Sequence, residues 1–299
     1  MEKLKIRAYL AAMLTVCLWA MSYIWADRLL DLGIPVEFFV PVRTLLAGGL
    51  LWTLNKLTRQ SMRIRSRKDL LKFVLLALCM PFVYFVCETY GLQFTESPTI
   101  TSLIIATNPL FAMGAGMLIF KEHFSRLNIL GVFVTLAGLF LVTWTRTETG
   151  PWFWAGVAVL FLAVISEVSQ IAFTKSLSST YAPSVIVMYQ FLLGAVLFLP
   201  LFLSKGMAHF DASLYLSWRV VYPTLALALL CSATAFTFWA YAIARLGVAH
   251  TSVFLAVVPL VTAVLSFLFG DERLLLLQWA GLAVGLVGIY LTQTESNKA

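Results

Sequence analysis

Ten runs of roughly twenty mostly apolar residues follow one another along this chain, and almost no charge falls inside them. At about 1.5 Å of rise per residue, a helix of that length spans the hydrocarbon core of a bilayer. The composition leaves little alternative. Of 299 residues, 61% are hydrophobic and 12% are Asp, Glu, Lys or Arg, against about 45–50% and about 25% in ordinary soluble domains. A folded soluble domain needs a polar skin, and this chain has too few polar residues to make one. The fold class expected is therefore an all-α integral membrane protein with ten transmembrane helices.

The spans read from hydropathy are Ala8–Ala26, Val36–Leu57, Leu70–Leu92, Pro98–Phe120, Leu127–Trp144, Trp152–Thr174, Pro183–Leu203, Val220–Ala244, Ala249–Phe269 and Leu274–Thr292. Breaks such as Gly33-Ile34-Pro35 and Thr149-Gly150-Pro151 separate them. Lys3, Lys5 and Arg7 before an apolar run, with Ala20-Met21-Ser22 beyond, have the outline of a secretory leader. The repeat described below requires that segment as a retained helix.

The formal charge is +7, and its placement matters more than its size. With the N-terminus inside, 15 Lys and Arg fall in inner segments and 5 in outer ones, Lys56 to Lys72 dominating the count. Both termini are thus expected in the cytoplasm, in a multi-pass protein of the cell's inner (cytoplasmic) membrane. The basic residues lie in loops without interleaved aromatics, so nucleic acid is not an expected partner. Cys17, Cys79, Cys87 and Cys231 sit in apolar runs without CxxC spacing, which reads as small buried hydrophobes.

A shift of 150 positions lays the fourth and fifth helices on the ninth and tenth. Pro109 then meets Pro259, Glu122 meets Glu272, Gly131 meets Gly281 and Gly138 meets Gly288. Apolar coincidences come easily in such a sequence; these do not. Tyr90 and Tyr241 correspond with one residue inserted. The repeating unit has five helices, residues 8–144 and 152–292, and an odd number of crossings makes the second copy enter from the opposite side. Such an inverted repeat offers two equivalent arrangements, one open to each side, which is the basis of alternating access.

The pairs Pro109 with Glu122 and Pro259 with Glu272, each followed by a Gly-rich helix, resemble the EamA domain of the drug/metabolite transporter superfamily. So do Trp19-Ala20-Met21-Ser22 in helix 1 and Pro35 followed by Arg43 in helix 2. The resemblance runs from about Ala8 to Thr292. The second copy departs from it in lacking the helix 1 Trp and in having Gln190 where Arg43 would fall. The resemblance implies ten helices, two inverted repeats, a central cavity, and transport of amino acids, nucleosides or other metabolites.

A charge in hydrocarbon costs at least about 2.5–3.5 kcal/mol on insertion scales, so it should face a cavity or a partner. Arg43, Glu88 and Glu167 are the three charges well inside the spans. Arg43 lies roughly 10 Å, and Glu88 roughly 6–9 Å, below the outer surface, so the two are expected to approach each other. Either they form an ion pair that fixes packing, or Glu88 is a substrate or proton group tuned by Arg43. Glu167 lies roughly 12 Å from the inner side, with Gln190 at similar depth and with Gln170 and Thr174 on its own face. Two polar clusters, outer and inner, would suit two gates. Thr15, Trp19 and Ser22, with Tyr23 beside them, form a stripe on helix 1. Tyr84 stands one turn before Glu88, and Thr234, Thr237, Phe238 and Tyr241 make a stripe on helix 8. Pro109 and Pro259 free carbonyls at Ile105 and Leu255 and read as hinges, with the Asn108 amide at hand. Glu122 and Glu272 read as anions at helix N-termini, outside the substrate site.

His123, His209 and His250 lie at loops or helix ends and form no HExxH; no GxSxG or Walker loop is present. Catalytic residues, metal ligands and cofactors are therefore not expected, nor is an enzyme. The expected function is secondary-active, non-ATP transport of a small amphipathic metabolite such as an amino acid. The protein is read as an exporter, with protons the candidate coupling ion and the lipid bilayer its surroundings. A single cavity arginine disfavours strongly anionic cargo. The competing reading is a facilitative uniporter or importer of nucleoside-like or drug-like solutes; a membrane enzyme or receptor is more remote. Monomer and homodimer stay open.

Overall fold

The computed structural model describes residues 2–111, 125–144, 150–208, 210–246, 253–269 and 273–293. Glu122, Glu272, His123, His209 and His250 lie outside the described residues, as does the second half of the span expected over Pro98–Phe120. Among the described residues the chain is helical and contains no strand. In order come α1 (Glu2–Asp31), α2 (Val36–Leu57), α3 (Arg67–Thr95), α4 (Pro98–Ile105) and α5 (Arg126–Trp144). Then come α6 (Phe153–Ser178), α7 (Pro183–Gly206), α8 (Trp218–Leu246), α9 (Val258–Phe269) and α10 (Leu276–Gln293). Among the described residues seven helices are long and apolar enough to cross a membrane; α4, α9 and α10 are shorter apolar helices.

Local chemistry explains the boundaries. Gly33, at φ +76°, makes the left-handed turn between α1 and α2, and Pro35 precedes the first residue of α2. Ser66 caps α3 by accepting from the Asp69 amide at 3.0 Å. Ser97 caps α4 in the same way through Ile100 at 3.1 Å, with Pro98 in the first turn where no amide is needed. Several helices run further than hydropathy suggests: α1 ends at Asp31 rather than near Ala26, α3 at Thr95 rather than near Leu92, α6 at Ser178 rather than near Thr174, and α7 at Gly206 rather than near Leu203.

Among the described residues five helices are irregular, four of them in two matching pairs and α7 at its end, where wide turns run over Phe202–Gly206. α3 breaks at Met80 (φ −141°, ψ 121°) ahead of Pro81, within a stretch of wide turns over Leu78–Val83. α8 has wide turns over Leu227–Thr234. α4 stops at Ile105, and the chain turns at residues 106–107 before helix resumes at Asn108-Pro109. Tight 3₁₀ turns over Val253–Val257 lead into Val258-Pro259 of α9. Proline removes a helical hydrogen bond and clashes with the turn before it, so both interruptions precede the paired prolines.

α5 packs along α10 more extensively than any other pair. α2 packs with α7, α3 with α6, α1 with α8, α4 with α9, α1 with α9 and α4 with α6. This set maps onto itself when every helix is exchanged for the one five places along. Aromatic side chains including Phe39, Phe85, Phe191 and Phe198 are wholly buried between the helices. Large apolar side chains such as Leu10, Met13, Phe133, Phe140 and Val196 are exposed, as helix faces turned to hydrocarbon must be.

Each end of the bundle is strapped. At one end the connection after α2 lies against the α6–α7 turn. There the Tyr181 hydroxyl donates to Asp69 Oδ2 at 3.0 Å and accepts from the Arg65 amide at 2.9 Å. Asn55 and Ser184 are joined at the same end. At the other end Lys205 Nζ lies 3.9 Å from Glu37 Oε1, and Tyr215 meets Phe38 edge-on at 4.5 Å.

Candidate functional site

The packing leaves a space among α1, α2, α3, α4, α6, α8 and the start of α9. The cavity there is small, about 40 Å³. Trp19, Ser22 and Tyr23 of α1 line it, with Arg43 of α2, Met80 to Glu88 of α3 and Glu167 of α6. Ser102 and Ile105 of α4, Phe236 of α8, and Leu255 and Val258 at the start of α9 complete the wall. Ile105 and Leu255 are the positions whose carbonyls the paired prolines release, so freed backbone borders a cavity, as it must at membrane depth.

Arg43 is buried, 3% exposed. Its guanidinium carbon lies 3.8 Å from the centre of the Phe85 ring, and its Nε donates to Ser232 Oγ at 3.3 Å. A cation over an aromatic face is attracted by the ring quadrupole, by about 2 kcal/mol when desolvated. Arg43 and Glu88 share the cavity, yet no ion pair within 4.0 Å joins them among the described residues. Glu88 instead accepts from the Tyr84 hydroxyl at 2.7 Å, one helical turn away.

Glu167 lines the same cavity, which corrects the expectation of separate outer and inner clusters. The physical reason is depth. Arg43 stands seven residues into α2, and Glu88 seven residues before the end of α3, or roughly 10 Å from one face. Glu167 stands eleven residues before the end of α6, or roughly 16 Å from the other. In a core about 30 Å thick, side chains bridge the remainder. Asn108 stands beside Glu167, but neither Asn108 Nδ2 nor Glu167 Oε2 has a hydrogen-bond partner among the described residues. Gln190 is buried in α7 away from the cavity wall, its Nε2 also unpartnered among the described residues. Gln170 and Thr174 bond each other at 2.9 Å rather than facing the cavity.

Trp19 packs against Phe236 at 5.2 Å and Trp239 at 5.1 Å. Its indole Nε1 is buried and lacks a partner among the described residues. Ser22 donates to the Trp19 carbonyl at 2.7 Å. Thr15, a turn earlier, reaches the Ala235 carbonyl at 3.2 Å and ties α1 to α8. Tyr241 is not at the cavity, another correction. The face of α8 bearing Phe236 and Trp239 turns inward. The stripe of Thr237, Phe238 and Tyr241 lines a groove near Arg7 and Gln60 at the bundle end, where Arg245 lies over Tyr241 at 5.7 Å. Tyr90, its counterpart, donates to Glu37 at 2.6 Å near the opposite end.

Sequence reading did not single out Phe85, Ser232, Ser102 or Phe236. Phe85 carried a signal, since it sits beside Tyr84 and one turn before Glu88. Ser232 and Phe236 did not, because their role depends on which face of α8 turns inward. Among the described residues no group of His, Cys, Asp and Glu is arranged to hold a metal. The four cysteines are free thiols.

The EamA-like transporter family model matches residues 6–144 and again residues 154–294. The uncharacterized transporter YdfC of Bacillus subtilis is 25% identical over 298 residues, covering 100% of this chain and 94% of that protein. A protein of Streptantibioticus cattleyicolor named "Probable terminal-alkyne amino-acid exporter" is 31% identical over 194 residues, 64% of this chain and 62% of that one. A crystal structure shares the fold with a TM-score of 0.68 at 16% identity, covering 95% of each chain.

Proposed function

This chain belongs to the EamA-like transporter family, and from that premise we propose that it is a secondary-active exporter of a small amphipathic metabolite such as an amino acid. The observation that carries the reading is the cavity. One guanidinium and two carboxyl side chains meet inside an aromatic wall, at a depth where a charge is costly unless it has work to do. The relative named as an amino-acid exporter supports the cargo class and the direction.

Residues 8–144 and 152–292 act as two inverted five-helix halves that rock about the cavity, with Pro109 and Pro259 as hinges. The self-matching helix pairing, the paired interruptions in α4 and α9, and the paired wide turns in α3 and α8 support this. The protein sits in the inner membrane, its basic Lys56–Lys72 connection in the cytoplasm. Glu88 carries the coupling proton, with the Tyr84 hydroxyl holding it in place and Arg43 in the same cavity. Relatives named as transporters support a carrier rather than an enzyme.

The test is flux. Purified protein in proteoliposomes should release preloaded labelled amino acids faster than empty vesicles do, and an opposing proton gradient should drive the release. Flux no greater than through protein-free vesicles across an amino-acid and nucleoside panel would sink the proposal. Flux of nucleosides alone, indifferent to the gradient, would favour the uniporter reading, for which the aromatic wall is the supporting observation.

A further inference from the structure

The polar groups of the cavity differ in what they lack. Glu88 is served by the Tyr84 hydroxyl at 2.7 Å. Arg43 has Ser232 and the Phe85 face. Glu167, 8% exposed, keeps a buried Oε2 with the Asn108 amide near it but no hydrogen bond of standard geometry, and the Trp19 indole nitrogen has no partner among the described residues. Both residues line the cavity. Native proteins rarely leave such atoms unpaired, because each has given up water without a partner in return.

The chemistry of the two atoms is opposite. An ionised carboxylate oxygen only accepts, so its missing partner is a donor; an indole N–H only donates, so its missing partner is an acceptor. Arg43 beside two carboxyl side chains also makes the wall favour a cation or a zwitterion over an anion. We propose that Glu167 receives the ammonium end and Trp19 the carboxylate end of one zwitterionic cargo. The rest of the molecule lies against the rings of Phe236, Tyr23 and Phe85. Glu167 is thus the cargo's amine receptor, distinct from the hydroxyl-bonded Glu88. The inference rests on the transport reading of this cavity and names what that reading leaves open.

The experiment uses purified full-length protein and matched triplets of probes. L-leucine, L-phenylalanine and L-propargylglycine are each compared with their N-acetyl derivative, which has no ammonium, and their decarboxylated amine. Binding is read by ligand-induced thermal stabilisation and by equilibrium dialysis. The expected result is that at least one amino acid binds roughly 10- to 100-fold tighter than both of its counterparts, the difference a charge-assisted hydrogen bond makes. Glu167→Gln should erase the preference over the N-acetyl form, Glu167→Asp should keep it, and Trp19→Phe should erase the preference over the amine. Equal affinity of wild type for an amino acid and its N-acetyl form, an undiminished preference in Glu167→Gln or Trp19→Phe, or binding of no amine-bearing probe overturns the proposal. Where a variant fails to fold, the wild-type triplets decide. The same probes in proteoliposomes separate the two ideas. Binding with the stated preferences but no flux overturns the transport reading alone. Flux with preferences unchanged in Glu167→Gln overturns the receptor assignment alone.

Discussion

Replacing Gly138 with Ala should destabilise the fold, while the same replacement at Gly49 should not. A Cβ built on Gly138 of α5 would lie 2.5 Å from Gly285 Cα and 2.7 Å from the Gly281 carbonyl oxygen of α10. Ordinary Cβ contacts fall at 3.4–4 Å. The obstructing atoms are backbone, so no rotamer change relieves them. The two helices must part by roughly 1 Å, a gap that forfeits a quarter to a half of each dispersion contact along the seam. Overpacking of this kind costs about 1–3 kcal/mol. At Gly49 of α2 the same Cβ meets nothing within 4 Å. Both sites gain the helix propensity of Ala over Gly, up to about 1 kcal/mol, so the difference between the variants isolates the packing cost. Reversible unfolding in mixed detergent–SDS micelles should place Gly138→Ala about 1–3 kcal/mol below Gly49→Ala. Gly138→Leu should fall further. Equal stability of the two Ala variants would refute the claim that α5 and α10 touch through glycine.

Three further outcomes are expected. Glu88→Gln should remove acceleration of flux by a proton gradient while leaving exchange of labelled for unlabelled cargo; a gradient response like that of wild type would end the proton assignment. Arg43→Lys should not restore Arg43→Gln, because a compact ammonium does not reproduce a guanidinium placed over the Phe85 ring while its Nε bonds Ser232. Normal flux in the Lys variant would show that charge alone matters there. Tyr181→Phe should loosen the strap at Asp69 and Arg65. Burial pushes the Tyr181 hydroxyl above its ordinary range, so it stays a neutral donor across physiological pH. With Cys17, Cys79, Cys87 and Cys231 replaced by Ala, a cysteine introduced at Ser61 should then label several-fold faster in the Phe variant, and unchanged labelling would mean the hydroxyl does not hold the connection.

Much was legible in the sequence because the bilayer is a demanding solvent. Hydrocarbon satisfies no backbone polar group and accepts few charges, so long apolar runs, Gly-Pro breaks and three isolated charges had few possible meanings. The positions of the helix breaks at the paired prolines were readable for the same reason, since a proline imposes its break within one turn. Gly131, Gly138, Gly281 and Gly288, first seen as coincidences of a repeat, fall on the α5–α10 seam, where only a missing side chain permits the approach. What the tertiary structure alone decided was rotation and depth. A helix of apolar residues presents no polar face to mark its inward side, so whether Phe236 or Tyr241 faced the cavity depended on how α8 packed against α1. Depth counted from a helix end inherits every residue of error in that end. α3 and α6 each ran on for about another turn, so Glu167 joined Arg43 and Glu88 in one cavity. Sequence spacing determined which charges enter the membrane; long-range packing decided that they meet.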